Sequence, residues 1–193
     1  GQIQITGGES GFGTNGSTGA TFDIGAVTWG SATFNPTKFV LQTVYSQGTS
    51  SATFSSAINL NGATRTIVAN SGAAGTATST ISGVISNTSG TAGLVKEGPG
   101  RLNLTQTNTF NGPVTVSGGS LFVSVLANGG SNSGLGNSTA AASNILLANG
   151  TTLGYTGGAV STNRSFTING TAAGHGASID ASGSGALTMT ATP

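Results

Sequence analysis

The chain has no cysteine. That excludes a disulfide framework, a thiolate metal site and a cysteine nucleophile. Charge is almost as scarce: 5% of the 193 residues are Asp, Glu, Lys or Arg, against about 25% in an ordinary soluble domain. The five basic residues, Lys38, Arg65, Lys96, Arg101 and Arg164, are scattered, and the net charge is +1. A duplex binder needs clustered cations to displace counterions, so no nucleic-acid partner is expected. A basic amphipathic helix for a membrane surface fails for the same reason. No apolar run approaches the roughly 20 residues of a membrane helix, and the amphipathic strands of about 10 residues that build outer-membrane barrels are missing. No direct membrane insertion by this segment is expected. No charged-then-apolar leader opens the chain. Gly1 runs straight into strand-like Gln2–Thr6, and the sequence reads as a piece of something longer.

Glycine is abundant, at 34 residues, without the Gly-X-Y period of collagen. Disorder is rejected because net charge is low and Val, Ile, Leu and Phe recur in pattern. Helix formers are rare. The pattern is clearest from Leu94 to Val123, where short bursts alternate at period two: Leu102 and Leu104, Val114 and Val116, Leu121 and Val123. Gly, Asn, Pro and Thr, the residues of turns, separate them. Such bursts are short strands with one buried face. Leu94 and Val114 stand twenty residues apart, Leu102 and Leu121 nineteen. A near-constant step of that size suits one coil of a β-solenoid. A weaker echo joins Val114–Leu121 to Ile145–Leu153, with one extra residue.

The expected fold is therefore all-β, a parallel β-helix of roughly eight coils, formed by residues 1–193 as one segment with no capping helix evident. The best-defined repeat unit is 81–123. Segments 7–19, 69–78 and 126–142 read as linkers, the last as an external loop. Without polar caps at the ends, further coils or further copies are expected to stack end to end. A β-sandwich with antiparallel neighbours is the architectural alternative.

Catalytic chemistry has little material. The carboxylates are Glu9, Asp23, Glu97 and Asp180, each at least fourteen residues from the next, so no acid–base pair shares a strand. Asp23 is expected to face outward, Glu97 to be a solvated surface charge, Glu9 a loop charge and Asp180 a turn residue. A lone His175 cannot build a zinc site. Gly11–Gly16 fits Gly-x-Gly-x-x-Gly, but the helix that would make it a dinucleotide loop does not follow. Trp29, Phe34, Phe39, Tyr45 and Phe54 are expected in the core rather than on a sugar platform. No catalytic residue, cofactor or metal is expected.

The stretch 94–123 resembles the β-strand repeat of autotransporter passenger domains. Leu94, Lys96, Gly98, Gly100, Leu102, Leu104, Asn108, Phe110, Gly112, Val116, Gly119 and Leu121 fall at that repeat's motif positions, and Glu97 stands where a Thr is usual. The resemblance implies a right-handed parallel β-helix on a bacterial cell surface, without enzymatic activity: a structural or adhesive segment working by extension, stacking or surface contacts. Its implied partners are copies of itself or adjacent repeats, with host or matrix glycans in addition. The alternative is a carbohydrate-binding or polysaccharide-acting β-helix.

Overall fold

A computed structural model describes residues 2–15, 18–43, 50–70, 77–170 and 176–190. The chain winds into a β-solenoid whose strand ladders are all parallel, which excludes the sandwich. Two seven-stranded sheets form its main faces. The first sheet stacks Glu9–Thr14, Lys38–Thr43, Arg65–Asn70, Leu94–Glu97, Val114–Val116, Ile145–Ala148 and Thr167–Asn169; these open coils 1 to 7. The second stacks Ala20–Phe22, Ser51–Phe54, Thr78–Ile81, Arg101–Leu104, Ser120–Val123, Thr152–Tyr155 and Ser178–Asp180. A discontinuous third side holds Val27–Thr28, Ile58–Asn59 and Ile85–Ser86 in coils 1 to 3, and Val160–Thr162 with Leu187–Met189 in coils 6 and 7.

The register reproduces the sequence spacing. Leu94 pairs with Val114 and Leu102 with Leu121. The echo is also real, because Val114 pairs with Ile145 and Leu121 with Leu153. Seven coils stack, six turns from first to last, rather than eight. The twenty-residue step holds across coil 4, which has neither a third-side strand nor an insertion. Elsewhere a coil takes more chain: Phe39 pairs with Ile67 across a coil with a third-side strand, and Leu121 with Leu153 across the insertion that follows Val123.

Alternation sends Leu102, Leu104, Val114, Val116, Leu121 and Val123 into the bore, where all are buried. In coils 1 and 2 the bore is aromatic. Trp29, Phe34, Phe39 and Phe54 are fully buried, with Phe39 edge-on to Phe54 and to Phe34 at 4.9 and 5.3 Å between centroids. Edge-to-face packing at this range adds to simple burial. Tyr45 lies outside the described residues. In coil 7 the inward positions include Ile168, Ile179 and Met189, which remain 45%, 37% and 39% exposed.

Segment 7–19 departs from the linker expectation. Glu9–Thr14 is a six-residue strand paired in register with Lys38–Thr43. Its outward positions include Gly11 and Gly13, so the Gly-x-Gly match is strand, not phosphate loop.

Candidate functional site

The polar chemistry of the chain collects where the third side is interrupted, in coils 4 and 5. Lys96 is in phase with Leu94 and pairs with Ile67 and Val116, both buried. Its side chain therefore enters the bore and is fully buried. There Nζ donates to the carbonyls of Gly98 (2.7 Å), Gly100 (2.5 Å) and Gly118 (2.8 Å). An ammonium has three donors, and each has an acceptor. Gly98 and Gly100 belong to the turn between the two sheets of coil 4, and Gly118 to the same turn of coil 5, so one side chain fastens two turns together. The glycines follow from this crowding. Gly98 and Gly119 take φ of 82° and 59°, a region open to glycine at little cost, and a Cβ at Gly119 would run into the carbonyl of Gly100. Gly112 is buried against the backbone of Ala92. Burial pushes Lys96 down to about 8.

Asn108 does the work of the missing third-side strand. Its Oδ1 accepts from the Ile85 N–H below (2.8 Å), and its Nδ2 donates to the Gly134 carbonyl above (2.9 Å). The side-chain amide thus stands in for a peptide group of the ladder. The adjoining backbone completes the join, with Thr109 N–H donating to Ile85 O and Asn108 N–H to Ser133 O. Phe110 is fully buried beside it. Asn111 ties the next corner to coil 3 by accepting from Asn87 Nδ2 and Ala92 N–H. Asn108→Ala is expected to cost about 2 kcal/mol, since it leaves a buried N–H and a buried C=O without partners. Asn108→Asp is expected to fare no better, because a carboxylate accepts but does not donate. Urea midpoints and exchange of the Ile85 amide would measure both.

The chain from Leu126 to Asn144 fills the opening, and Arg164 holds it. That side chain is 1% exposed. Its Nε donates to Ala127 O (2.9 Å), Nη2 to Gly136 O (2.9 Å), Ser131 O (3.0 Å) and Asn128 O (3.4 Å), and Nη1 to Ser138 O (3.3 Å). Burial lowers Arg164 from its ordinary range. Neither Lys96 nor Arg164 meets a carboxylate; backbone carbonyls, with the Ser138 hydroxyl beside Arg164, compensate both charges. Sequence reading gave neither residue this role. For Lys96 the period-two phase with Leu94 was the available sign; for Arg164 there was none.

The carboxylates do not assemble an acid–base pair. Glu9 and Glu97 both reach Lys38 on the outer face of the first sheet, at 3.1 and 2.7 Å, and the lysine between them raises its own pKa by these contacts. Glu97 is thus in an ion pair rather than simply solvated, and Glu9 opens a strand rather than lying in a loop. Asp23 follows the second-sheet strand of coil 1 and is exposed. It is held below the usual range by the Gly25 N–H and the Ser56 hydroxyl. Asp180 lies in the strand of that sheet at the opposite end, in coil 7. Among the described residues no three of His, Asp and Glu converge as metal ligands; His175 lies outside them.

The outer face of the second sheet carries a different set. Ser51, Thr78, Arg101, Ser120, Thr152 and Ser178 form one row across successive coils. Thr21, Thr53, Thr80, Asn103, Phe122, Gly154 and Asp180 form the next. The Arg101 guanidinium lies 3.6 Å from the Phe122 ring centroid, and its Nε donates to Asn103 Oδ1 at 2.6 Å. Phe122 lies flat because position 154 is glycine; a Cβ there would overlap the ring.

Residues 94–122 match the family described as passenger-associated-transport-repeat. Over 94 residues, 49% of this chain, the sequence is 47% identical to the adhesin BmaC autotransporter of Brucella suis biovar 1 (strain 1330). The chain spans about 3% of that adhesin's length. No solved structure matches the chain.

Proposed function

We propose that this chain, which carries an autotransporter passenger β-repeat, is a structural and adhesive segment of an extracellular passenger at the bacterial surface. The observation that carries this reading is the coincidence of the family match with the geometry. The matched stretch is the pair of coils where Lys96 and Asn108 lock successive turns, so the repeat is a device for joining coils. Its work is mechanical: continuous parallel ladders transmit load along the axis, and outer rows and inserted chain make contacts. Further coils continue the stack over Ile168, Ile179 and Met189, whose apolar side chains and strand edges accept a next parallel coil. The role is non-enzymatic, in keeping with carboxylates that are paired with Lys38 or lie at opposite ends.

The test is deletion of this segment from its passenger in the native host. A shorter surface stalk by electron microscopy, with weaker attachment to host cells or matrix, is the expected outcome. An unchanged stalk with unchanged attachment would overturn the reading.

A further inference from the structure

Of the five basic residues, three are fully engaged. Lys38 is shared by Glu9 and Glu97, and Lys96 and Arg164 are buried among carbonyls. Two arginines keep Nη groups without a hydrogen-bond partner among the described residues. Arg65 is at a corner, its Nε on Leu60 O and its guanidinium 5.4 Å from the Trp29 ring centroid. Arg101 is on a sheet face. Its plane is fixed by Phe122 beneath and by Asn103 at Nε, so the edge bearing both Nη groups is presented in a set orientation. The same row places hydroxyls on either side of it, Thr78 one strand before and Ser120 and Thr152 on the next two. Asp180, the carboxylate of the neighbouring row, makes no ion pair with it.

We propose that the second-sheet face around Arg101 binds the carboxylate of an acidic sugar, with Thr78, Ser120 and Thr152 hydrogen-bonding its hydroxyls. A guanidinium held at Nε and stacked on a ring offers a planar pair of donors that matches a carboxylate. Stacking limits the rotamer entropy lost on binding. One cation suits one carboxylate per contact, whereas a densely sulfated chain needs a cluster of cations, which this face lacks. Apart from Asp180, whose field reaches Arg101 without forming an ion pair, the surrounding groups are uncharged hydroxyls and an amide spaced at about 4.8 Å from strand to strand, a surface for sugar hydroxyls rather than for an apolar peptide. The proposal names the ligand of the adhesive reading and rests on it. Loss of the carboxylate site would leave stalk length and surface exposure untouched, so the two can fail separately.

The test is calorimetric or NMR titration of the whole chain with oligogalacturonate and with sialyllactose, against methyl-esterified oligogalacturonate and lactose. Binding of either acid but not of its neutral counterpart is expected, and the acid that binds identifies the source as uronate or sialate. Arg101→Gln is expected to weaken it at least tenfold, Arg101→Lys to recover only part, and Arg65→Gln to leave it unchanged. Absence of binding by both acids, equal binding of the neutral probes, or full binding by Arg101→Gln would overturn the proposal. Preferential binding of a glutamate-rich peptide would overturn it in favour of a protein partner.

Discussion

Lys96→Met is expected to destabilise the solenoid by about 2–3 kcal/mol, because the buried carbonyls of Gly98 and Gly118 are left without a donor at about 1 kcal/mol each and that of Gly100 keeps only the Ser120 N–H at 3.3 Å. Methionine preserves most of the volume, so the loss is not that of a cavity. The damage should be local first. Amides of 98–101 and 117–120, which Lys96 fastens together, should exchange faster than those of coils 2 and 3, because each coil of a solenoid leans mainly on its neighbours. Protection that falls evenly along the chain would argue against a clamp. A separate expectation concerns pH. Burial holds the folded Lys96 near 8, below the ordinary value of about 10.4. Between these values the unfolded chain binds a proton that the folded chain has released, so stability should rise with pH across that window, by up to about 1 kcal/mol per unit. Lys38, whose pKa is raised by Glu97 and Glu9, acts in the opposite sense, and its contribution is lost only as pH rises through its folded value. Urea midpoints from pH 8 to 10 should climb in the parent chain and stay flat in Lys96→Met. The two expectations do not conflict. The ammonium donates to all three glycine carbonyls and the neutral amine still to two, whereas methionine donates to none.

The ladder of coils 4 and 5 was legible because it is written in side chains. Leu94 and Val114, and Leu102 and Leu121, announce their pairing by hydrophobic phase and constant spacing. The strand Glu9–Thr14 was hidden because two of its outward residues are glycines. In Glu9-Ser-Gly-Phe-Gly-Thr the phase survives only at Phe12, and Gly11 and Gly13 read as turn chemistry. The excess coil count has a similar origin. A step of about 20–25 residues, suggested by the compact repeat, was extended to coils whose third-side strands and insertions consume more chain. Of the aromatic residues expected in the core, the four among those described are there, because Trp29, Phe34, Phe39 and Phe54 sit at inward positions of adjacent coils. The partners of Lys96, Asn108 and Arg164 were beyond reach for a common reason. They are backbone carbonyls and amides, which every residue carries, so their convergence depends on coil register and leaves no mark in composition.

Arg164→Met carries the second large expected effect, about 3 kcal/mol, since hydrogen bonds to a charged group contribute about 1.5–3 kcal/mol and a buried acceptor is left open besides. Five carbonyls lose the arginine at once, and four of them belong to the chain between Asn128 and Ser138. Ser131 O is left without a donor, whereas Asn128 O, Gly136 O and Ser138 O keep bonds made within the same segment and Ala127 O keeps the Thr162 hydroxyl at 3.0 Å. The insertion should therefore loosen while the paired strands on either side persist. Amides such as Gly134 and Asn137, which bond to Val125 O and Phe110 O, should lose protection, and protease should nick near Asn128–Asn132. Arg164→Lys is not expected to rescue. A single ammonium reaches three acceptors, whereas the planar fork spans acceptors on both limbs of the loop. Asn108 supplies an internal check, because its Nδ2 holds the same loop at Gly134 O independently of the arginine. If Arg164 positions the loop, Asn108→Ala and Arg164→Met should be non-additive, since whichever comes first frees the segment the other restrains. Strict additivity, with the loop protected in Arg164→Met, would mean that the guanidinium merely fills the interior and that the loop is held by its own turns.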